Sequence, residues 1–336
     1  MVTRDDVARQ AGVSPSTVSY VINNGPRSVS EATKEKVFQA VQTLGYRPNA
    51  VARNLRRQRT SSLGLIIPDI INPYFAQVAQ GIEAVAFERN FTVVFCHTQY
   101  SLEQELKYLD HLYEERAAGV LWVPATGEIE PAQRLIDYGL PTVLIDRVLD
   151  GIEMPAVVAD NYRGGYIATK HLLSLGHRRI GCIARPVRLS HSRERVQGYQ
   201  TALKDAGIAF DERLVAAGGY RLENGYEAIQ YLLGLEDPPT AVFTYNDIMA
   251  IGATRALRER GMDVPRDFSV VGYDDIPDAA YTCPALTTVR QAKYEMGAKG
   301  IELLFKIMDG EIVDPQVKES VSVELIERES TGPVPN

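Results

Sequence analysis

The 336-residue sequence contains little cysteine and histidine, and neither residue is grouped as a structural site requires. Its three cysteines (Cys96, Cys182 and Cys283) are odd in number and widely spaced, which argues against a disulfide framework. Its five histidines show no zinc-ligand spacing, so we expect no metal site. No apolar run approaches the ~20 residues of a membrane span, and the charged start MVTRDDVARQ lacks the apolar core of a signal peptide. We therefore expect a soluble, cytoplasmic protein that contacts no membrane.

Motifs that cradle nucleotides or build a catalytic nucleophile are also missing. The sequence has no G-x-G-x-x-G, no G-x-x-x-x-G-K-[ST] and no G-x-S-x-G, which argues against an enzyme on a doubly wound scaffold. The segment LSHS places serine beside His191, but the sequence offers no orienting acid for a hydrolytic pair. We expect no catalytic residue and no cofactor.

Positive charge is scarce except at the amino terminus. Residues 1–60 carry ten Lys and Arg against four Asp and Glu, a net charge of +6. The other 276 residues carry 26 basic against 39 acidic side chains, a net charge of −13. A basic segment on an acidic body is typical of a protein whose amino-terminal part binds nucleic-acid phosphates, although a solvated basic tail has the same composition.

The segment TRDDVARQAGVSPSTVSYVIN predicts two helices joined by a tight turn. Thr3 and Asp6 form a capping-box pattern, and Gly12 ends the first helix with a left-handed C-cap. Ser14 caps the second helix, with Pro15 at its first position, where the missing N–H costs nothing. The pattern is that of a helix-turn-helix, which similar helix pairs that never touch DNA also show.

A third helix completes a small bundle around a few aliphatic residues. Ser30 precedes EATKEKVFQAVQTL as its cap, Val37, Val41 and Leu44 lie on one face, and Gly45 follows its end. In such a bundle the second helix presents its outer face to a DNA major groove. The candidate contacts are Ser14, Pro15, Ser16, Thr17, Tyr20 and Asn23.

From Leu63 onward, short apolar runs alternate with helical patterns. Predicted helices include 74–88, 164–175, 195–206 and 248–260. Predicted strands are 63–67, 91–95, 119–123, 142–145, 180–183, 241–244 and 269–271. This alternation predicts parallel sheets wound by helices, and 276 residues suffice for two such lobes. The predicted fold class is α/β, with two-lobed doubly wound parallel sheets preceded by a small all-α helix-turn-helix head.

Such sheets bind ligands at the carboxyl ends of their strands, so the residues that follow each strand are the candidates for a binding site. Taken singly, Asn and Asp there are often helix caps, and Tyr and Phe are often core residues. Together they offer aromatic faces for a sugar ring, and carboxylates, amides and guanidiniums for its hydroxyls. The candidates that follow strands are Asn72, Tyr74, Phe75, Asp146, Arg147, Asn246, Asp274 and Gln291. Two more candidates, Arg195 and Tyr220, sit at helix starts or loops and complete the set of ten.

The segments DVARQAGVSPSTVSYVINN and VSEATKEKVFQAVQTLGYRPNAVARNL resemble the head of the lactose-repressor (LacI/GalR) family of bacterial transcription regulators. The family motif has Arg at the position of Tyr20, and Tyr cannot make the bidentate Arg–guanine contact. The resemblance implies a hinge helix that is too short to be stable alone, folds on DNA and pairs with its dimer mate. Its implied DNA contacts are Asn49, Ala52, Arg53 and Leu55, with Leu55 as a minor-groove wedge and Arg53, Arg56, Arg57 and Arg59 near phosphates.

The body resembles ribose-type periplasmic sugar-binding proteins, and the ten candidate ligand residues fall on matching motif positions. With the head, the resemblance covers residues 3 to about 329. It departs at IARPVRLSHSRERVQGY, where Arg185-Pro186 replaces the usual Gly-Pro, so Arg185, Ser190 and Ser192 receive no role. The implied domains are a head (1–47), a hinge and linker (48–61), a ligand-sensing and dimerisation domain (62–330) and a tail (331–336). Within the third, the N-lobe spans about 62–160 plus 290–320, and the C-lobe about 161–289 plus 321–330.

These features predict a DNA-binding transcriptional regulator, a repressor, controlled by a small molecule between the lobes. We expect a neutral sugar, because the carboxylates of Asp146 and Asp274 balance the guanidiniums of Arg147 and Arg195. A nucleobase or nucleoside sandwiched by two aromatic side chains is the alternative, and both inducer and corepressor roles stay open. An enzyme and a sugar-binding protein without DNA activity are the competing classes.

The assembly expected from this architecture is a homodimer on double-stranded, pseudo-palindromic operator DNA. Two-fold symmetry in the protein requires matching symmetry in the site. The segment ELIERESTGPVPN carries no leucine heptad, so we expect the assembly to stop at dimers. The protein would be nucleoid-associated when bound to its operator.

Overall fold

The computed structural model describes residues 2–22, 28–46, 60–185 and 190–335. The chain divides into two units, Met1–Arg59 and Thr60–Asn336, and each is described by itself. Much of the hinge segment predicted at 48–61 falls among the residues outside these ranges.

The first unit contains three helices, α1 (Arg4–Ala11), α2 (Pro15–Ile22) and α3 (Glu31–Leu44). The predicted capping box at the start of α1 is present, because Thr3 and Asp6 bond each other's backbone N–H. The Ser14 hydroxyl accepts the N–H of Thr17 at 3.1 Å, as a cap of α2 should. The core of the unit is made of Val7, Ala8, Ala11, Val18, Val21, Val37 and Ala40.

The start of α3 differs from its prediction. Ser30 occupies the cap position, but its side chain makes no capping hydrogen bond. The N–H of Thr33, which a capping hydroxyl would accept, is bonded instead to the Ser30 carbonyl at 3.0 Å. The Ser30 hydroxyl therefore pairs with the hydroxyl of Thr33 at 2.9 Å. The helix ends as predicted, at a left-handed Gly45 with φ 61°.

A six-stranded, wholly parallel sheet forms the N-lobe of the second unit, in the strand order β11-β5-β4-β3-β1-β2. Buried aliphatic side chains line its central strands, as expected for a sheet covered by helices on both faces. The strands are β1 (Ser62–Ile67), β2 (Thr92–His97), β3 (Gly119–Trp122), β4 (Thr142–Ile145), β5 (Ala156–Ala159) and β11 (Lys318–Val321). The helices are α4 (Pro73–Glu88), α5 (Leu102–Glu114), α6 (Glu130–Asp137) and α11 (Lys293–Met308).

A second six-stranded sheet forms the C-lobe, in the order β12-β10-β9-β8-β6-β7. Its strands are parallel except for β12, which runs antiparallel to β10 at the edge. The strands are β6 (Ile180–Ala184), β7 (Val215–Ala217), β8 (Ala241–Thr244), β9 (Ser269–Asp274), β10 (Thr287–Gln291) and β12 (Val323–Ile326). The helices are α7 (Asn161–Ser174), α8 (Ser190–Asp205), α9 (Leu222–Leu233) and α10 (Asp247–Glu259). The predicted α/β fold with two doubly wound lobes and an all-α head is confirmed.

The chain crosses between the two sheets three times. It leaves the N-lobe sheet after β5, returns after β10 and crosses again between β11 and β12, at Asp160, Ala292 and Ser322. Each lobe is therefore built from chain segments that are separated in sequence.

Helix packing in the C-lobe requires glycine where α7 crosses α8. A Cβ on Gly165 would lie 2.1 Å from the Arg195 carbonyl oxygen, and a Cβ on Gly198 would lie 2.1 Å from the Tyr162 carbonyl oxygen. The two backbones are thus in direct contact. This close approach fixes α8, which carries Arg195, against the start of α7.

Candidate DNA-binding surface and interlobe ligand site

The second helix of the head exposes a short polar surface. Ser14 and Ser16 are exposed, whereas Pro15, Thr17 and Tyr20 are half-buried. The Ser14 hydroxyl pairs with those of Ser16 and Thr17, each at 2.8 Å. These five side chains form one surface on α2. The other candidate DNA contacts (Asn23, Asn49, Ala52, Arg53 and Leu55) lie outside the described residues.

A cavity lies between the two sheets, at the carboxyl ends of their strands. About 290 Å³ within its boundary is not filled by protein atoms, a volume that includes space open to solvent. Nine of the ten candidate ligand residues line it, together with two tyrosines that sequence reasoning missed. The lining residues are Asn72, Tyr74, Phe75, Tyr100, Asp146, Arg147, Arg195, Tyr220, Tyr245, Asn246 and Asp274.

The two asparagines of the cavity also cap helices. The Asn72 side-chain oxygen accepts the Tyr74 N–H, and that of Asn246 accepts the Met249 N–H, both at 2.9 Å. The cap roles considered from sequence are therefore real. They leave the two amide NH₂ groups as the part of each side chain able to donate to a ligand.

The N-lobe side of the cavity is built around Asp146 at the end of β4. Asp146 has a left-handed backbone with φ 69°, a conformation that non-glycine residues adopt mainly at functional sites and turns. Its two carboxylate oxygens accept from the Tyr74 hydroxyl at 2.7 Å and from Arg147 Nε at 3.1 Å. Arg147 donates a further bond to the Pro124 carbonyl at 2.8 Å. Asp146 and Arg147 thus form a buried, mutually neutralised pair.

Arg195 provides the C-lobe side with a buried guanidinium. Its Nε donates to the Asn161 side-chain oxygen at 2.9 Å, and its Nη1 donates to the Tyr245 carbonyl at 2.6 Å. Its guanidinium carbon lies 3.6 Å from the ring centroid of Tyr273. The charge is therefore held by neutral oxygens and a ring face, in an orientation fixed by three neighbouring residues.

Asp274 faces the same cavity as the last residue of β9, in a backbone conformation with φ 112°. The predicted strand stopped at Val271, so Asp274 lies within the strand rather than after it. Gln291 donates to its Oδ1 at 2.7 Å, and the Lys293 ammonium donates to its backbone carbonyl. Gln291 was expected to contact ligand, but it lies outside the cavity lining and its amide N–H supports Asp274.

Burial changes the charge of this carboxyl group. Desolvation raises the pKa of Asp274 to about 7, because it outweighs the attraction of Arg195 and Lys293 for the charged form. Asp274 can then both donate and accept hydrogen bonds at neutral pH, whereas from the sequence we expected it only to accept them. Asp247, which lies nearby and is fully buried, has its pKa raised as well, mainly by desolvation and then by the Asp274 charge.

Tyrosine rings occupy the remaining side of the cavity. Tyr100, from the loop after β2, stacks on Tyr220, from the loop after β7, with ring centroids 3.4 Å apart. The guanidinium carbon of Arg185 lies 3.2 Å from the Tyr220 centroid. Tyr100 belongs to the N-lobe, and Tyr220 and Arg185 to the C-lobe, so this stack joins the lobes. The carboxyl-end rule would have found Tyr245 and Arg185, which directly follow β8 and β6, whereas Tyr100 lies three residues beyond the end of β2.

The LSHS segment does not form a nucleophile. His191 Nε2 pairs with the Tyr245 hydroxyl, and its Nδ1 has no partner within the described ranges. Ser190 bonds the Val148 backbone, and Ser192 donates to the Arg185 carbonyl at 3.1 Å. Burial and three neighbouring arginines hold the pKa of His191 well below its ordinary value. The segment supports the cavity wall.

The described residues include neither a metal-binding cluster nor a membrane-spanning helix. Among those residues, no group of three or more His, Cys, Asp or Glu side chains could hold a metal ion. Within the same ranges, no helix is long and apolar enough to cross a membrane.

A helix-turn-helix unit joined to a two-lobed unit with a polar interlobe cavity defines a ligand-responsive DNA-binding regulator. Two family descriptions match the chain: bacterial regulatory proteins of the lacI family over residues 3–49, and a periplasmic binding protein-like domain over residues 169–331. The chain belongs to the lacI family; it is a DNA-binding transcriptional repressor and not an enzyme.

Individual relatives support this assignment along nearly the whole chain. The HTH-type transcriptional repressor PurR of Vibrio atlanticus is 36% identical over 330 residues, 98% of each chain. A transcriptional regulator CelR–cellobiose complex is 34% identical with a TM-score of 0.76, covering 98% of this chain and 100% of that one. The lac repressor dimer bound to operator is 28% identical with a TM-score of 0.86, covering 98% and 99%.

The raised pKa of Asp274 predicts a pH-dependent stability. Between about pH 4 and pH 7 the folded protein keeps a proton that Asp274 loses on unfolding, so this group's contribution falls as the pH rises through that window. Asp274→Asn cannot ionise. The melting temperature of this variant minus that of the wild type should therefore increase from pH 5 to pH 8, as followed by calorimetry. A difference that stays constant across this range would contradict the raised pKa.

Proposed function

We propose that this repressor senses a small sugar in the interlobe cavity, and that the ten candidate residues contact or support the ligand. The observation that carries the proposal is the convergence of Asp146, Arg147, Arg195, Asn246 and Asp274 on one cavity with aromatic walls. Hydroxyl groups both donate and accept, so a polyhydroxylated ring can use carboxylates, amides and guanidiniums together. The similar CelR structure is described as a cellobiose complex, which supports the sugar class.

A nucleobase or nucleoside is the second candidate, and the tyrosine stack favours it. Tyr100 and Tyr220 are within 24° of parallel, so each presents a flat face on which a planar heterocycle could stack. A purine could replace one ring of this stack with little loss of contact area. Sugars and nucleosides must therefore be compared directly.

Control of DNA binding would come from a change in how the lobes are arranged. Three chain crossings, at Asp160, Ala292 and Ser322, connect the lobes and would act as the hinge of this change. The ligand shifts the equilibrium only by its difference in affinity for the two arrangements. The same scheme serves an inducer or a corepressor. Since the target is chromosomal DNA, the repressor would work in the cytoplasm.

The cavity assignment predicts which variants lose the response to effector. Asp274→Ala and Arg195→Ala each remove one partner of a buried, charge-assisted contact, which costs about 1.5–3 kcal/mol, or roughly tenfold to a hundredfold in affinity. Fluorescence anisotropy with an operator selected by the protein, titrated with sugars and nucleosides, should show this loss. Operator binding without effector should be retained. The exposed Arg255→Ala is the matched control, and a wild-type response from both cavity variants would place the site elsewhere.

DNA recognition is proposed to reside in residues 1–61, with α2 in the major groove and residues 48–61 as a hinge in the minor groove. The exposed hydroxyls of Ser14 and Ser16 and the half-buried Tyr20 would reach base edges and phosphates. The net charge of +6 on residues 1–60 would supply the sequence-independent part of the affinity.

Tyr20 should contribute to specificity without contributing to salt dependence. Tyr20→Ala removes an uncharged contact, so it should lower affinity for the selected operator by about 1–3 kcal/mol. Its affinity for random DNA and the slope of log K against log salt should stay as in the wild type, because no counterion release is lost. Titrations at four salt concentrations test both statements. An equal loss on operator and random DNA would show that Tyr20 reads no base.

A second copy of this chain is proposed to cover the outer edge of the N-lobe sheet. Strand β2 ends that sheet, so one side of its backbone is unpaired, and Val94 and Phe95 are exposed on it. Ile71, in the loop after β1, is 82% exposed. Exposed apolar residues along a sheet edge are covered in stable proteins, and the similar lac repressor structure is described as a dimer. A homodimer on a pseudo-palindromic operator follows.

Charge placed on this edge should dissociate the dimer. Phe95→Glu and Ile71→Glu leave exposed side chains in a monomer, so folding should persist while light scattering at micromolar concentration reports half the mass. Operator affinity should fall because two heads no longer bind as one unit. Val313→Glu, at a position 89% exposed elsewhere, is the control. If both edge variants remain dimers, the interface lies on another face.

A further inference from the structure

Arg185 is a buried cation that packs against the cavity but has no role in the proposed sugar site. Its side chain is 94% buried, and two of its nitrogens, Nε and Nη1, have no hydrogen-bond partner among the described residues. It lies against three tyrosines of the cavity lining: 3.2 Å from the Tyr220 centroid, 5.6 Å from that of Tyr245 and 5.8 Å from that of Tyr100. Ring faces stabilise a cation less than hydrogen-bonded anions do.

The charge of Arg185 has no nearby acid to balance it. Within the described ranges, no carboxylate lies within 4 Å of Arg185, while Arg147 is paired with Asp146. Residues 186–189, outside those ranges, are Pro-Val-Arg-Leu and contain no acidic side chain. Burial lowers the pKa of Arg185 to about 10, which still leaves it protonated at neutral pH. A buried, unpaired guanidinium is unfavourable unless a binding partner neutralises it.

The balance of charge around the cavity is therefore positive. The expectation of a neutral ligand counted Asp146 and Asp274 against Arg147 and Arg195. Arg185 adds a third guanidinium, and Arg195 is held by the Asn161 and Tyr245 oxygens rather than by a carboxylate. Asp274 alone remains to offset Arg185 and Arg195 together. The surplus is at least one positive charge.

We propose that the effector carries an acidic group, a phosphate or a carboxylate, and that Arg185 binds this group at the tyrosine side of the cavity. The planar guanidinium can donate two parallel N–H bonds to either oxyanion, which ring faces cannot accept. The proposal rests on the proposed function, since it assigns a charge to the ligand of the same cavity. It also gives a role to the position where this sequence has Arg185-Pro186 in place of the usual Gly-Pro.

The stack of Tyr100, Tyr220 and Arg185 gives the proposal a mechanical consequence. Tyr220 lies between the other two groups, since its distances to them are 3.4 and 3.2 Å while Tyr100 and Arg185 are 5.8 Å apart. An acidic group that approaches Arg185 from the side of Tyr100 meets the Tyr220 ring first. Binding from that side would therefore exchange a contact between the lobes for a contact between ligand and guanidinium.

Calorimetric titration of the full chain with ring-matched pairs tests the proposal. The probes are ribose and ribose 5-phosphate, glucose with glucose 6-phosphate and glucuronate, and adenosine with adenosine monophosphate. An acidic member should bind at least tenfold more tightly than its neutral partner. Arg185→Gln should lower the affinity for that acidic ligand by about tenfold to a hundredfold and change the affinity for its neutral partner less than threefold. Arg185→Lys should keep part of the preference for the acidic ligand. Arg255→Gln is the control for loss of an exposed arginine.

Three results would overturn the proposal. The first is a neutral ligand that binds as tightly as its acidic partners. The second is that Arg185→Gln lowers the affinity for the acidic ligand and for its neutral partner by the same factor. If no pair binds, the probe is inorganic phosphate at constant ionic strength, and the melting temperature is measured. The third overturning result is that phosphate raises the melting temperature equally in wild type and Arg185→Gln, or raises it in neither. The proposed function fails separately, when a ligand that depends on Arg185 binds without changing operator affinity.

Discussion

Charge buried at the ends of parallel strands is the constraint on which the interlobe region depends. Asp146, Arg147, Arg195 and Asp274 are each at least 95% buried, where an unpaired charge is strongly disfavoured. Each therefore recruits neighbours from other elements: Tyr74 from α4 for Asp146, Asn161 from α7 for Arg195, Gln291 from β10 for Asp274. These hydrogen bonds tie together segments far apart in sequence. The cavity geometry follows from satisfying those groups as much as from any ligand.

The parts of the fold that sequence predicted are those with strong local signals. The capping box at Thr3 and the left-handed Gly12 depend on a few neighbouring residues, and both are present as expected. Strand β7 has only three residues, and the edge strand β11 (KESV) has a single buried residue, so neither offers an apolar run that stands out. Ser30 shows the limit of a local rule, because the helix N–H it should cap was already bonded to its own carbonyl.

The candidate site also has features that the sequence predicted and features that it did not. Placing ligand residues after each strand brought seven of those eight candidates to one cavity, because parallel strands of a sheet share one carboxyl edge. The rule gives the position of a residue but not the direction of its side chain. It therefore could not show that Asp274 faces the cavity while the Gln291 amide donates to the Asp274 carboxylate. Nor could it give protonation: Asp274 counts as −1 in the sequence, while burial raises its pKa to about 7. Arg185 was assigned no role because the sequence departs from the family pattern at that position, and only the structure shows that two of its buried nitrogens lack hydrogen-bond partners among the described residues.

The contact between Tyr100 and Tyr220 limits how a ligand can act on this protein. The two rings come from different lobes and stack on each other, so their contact stabilises the arrangement of the lobes in which they meet. An effector that merely filled space would lose this contact and gain another of similar strength, which would leave the equilibrium between lobe arrangements almost unchanged. A useful effector must form contacts in one arrangement that have no counterpart in the other. Hydrogen bonds to buried groups that lack partners among the described residues meet that condition, because no protein hydrogen bond has to be given up to form them.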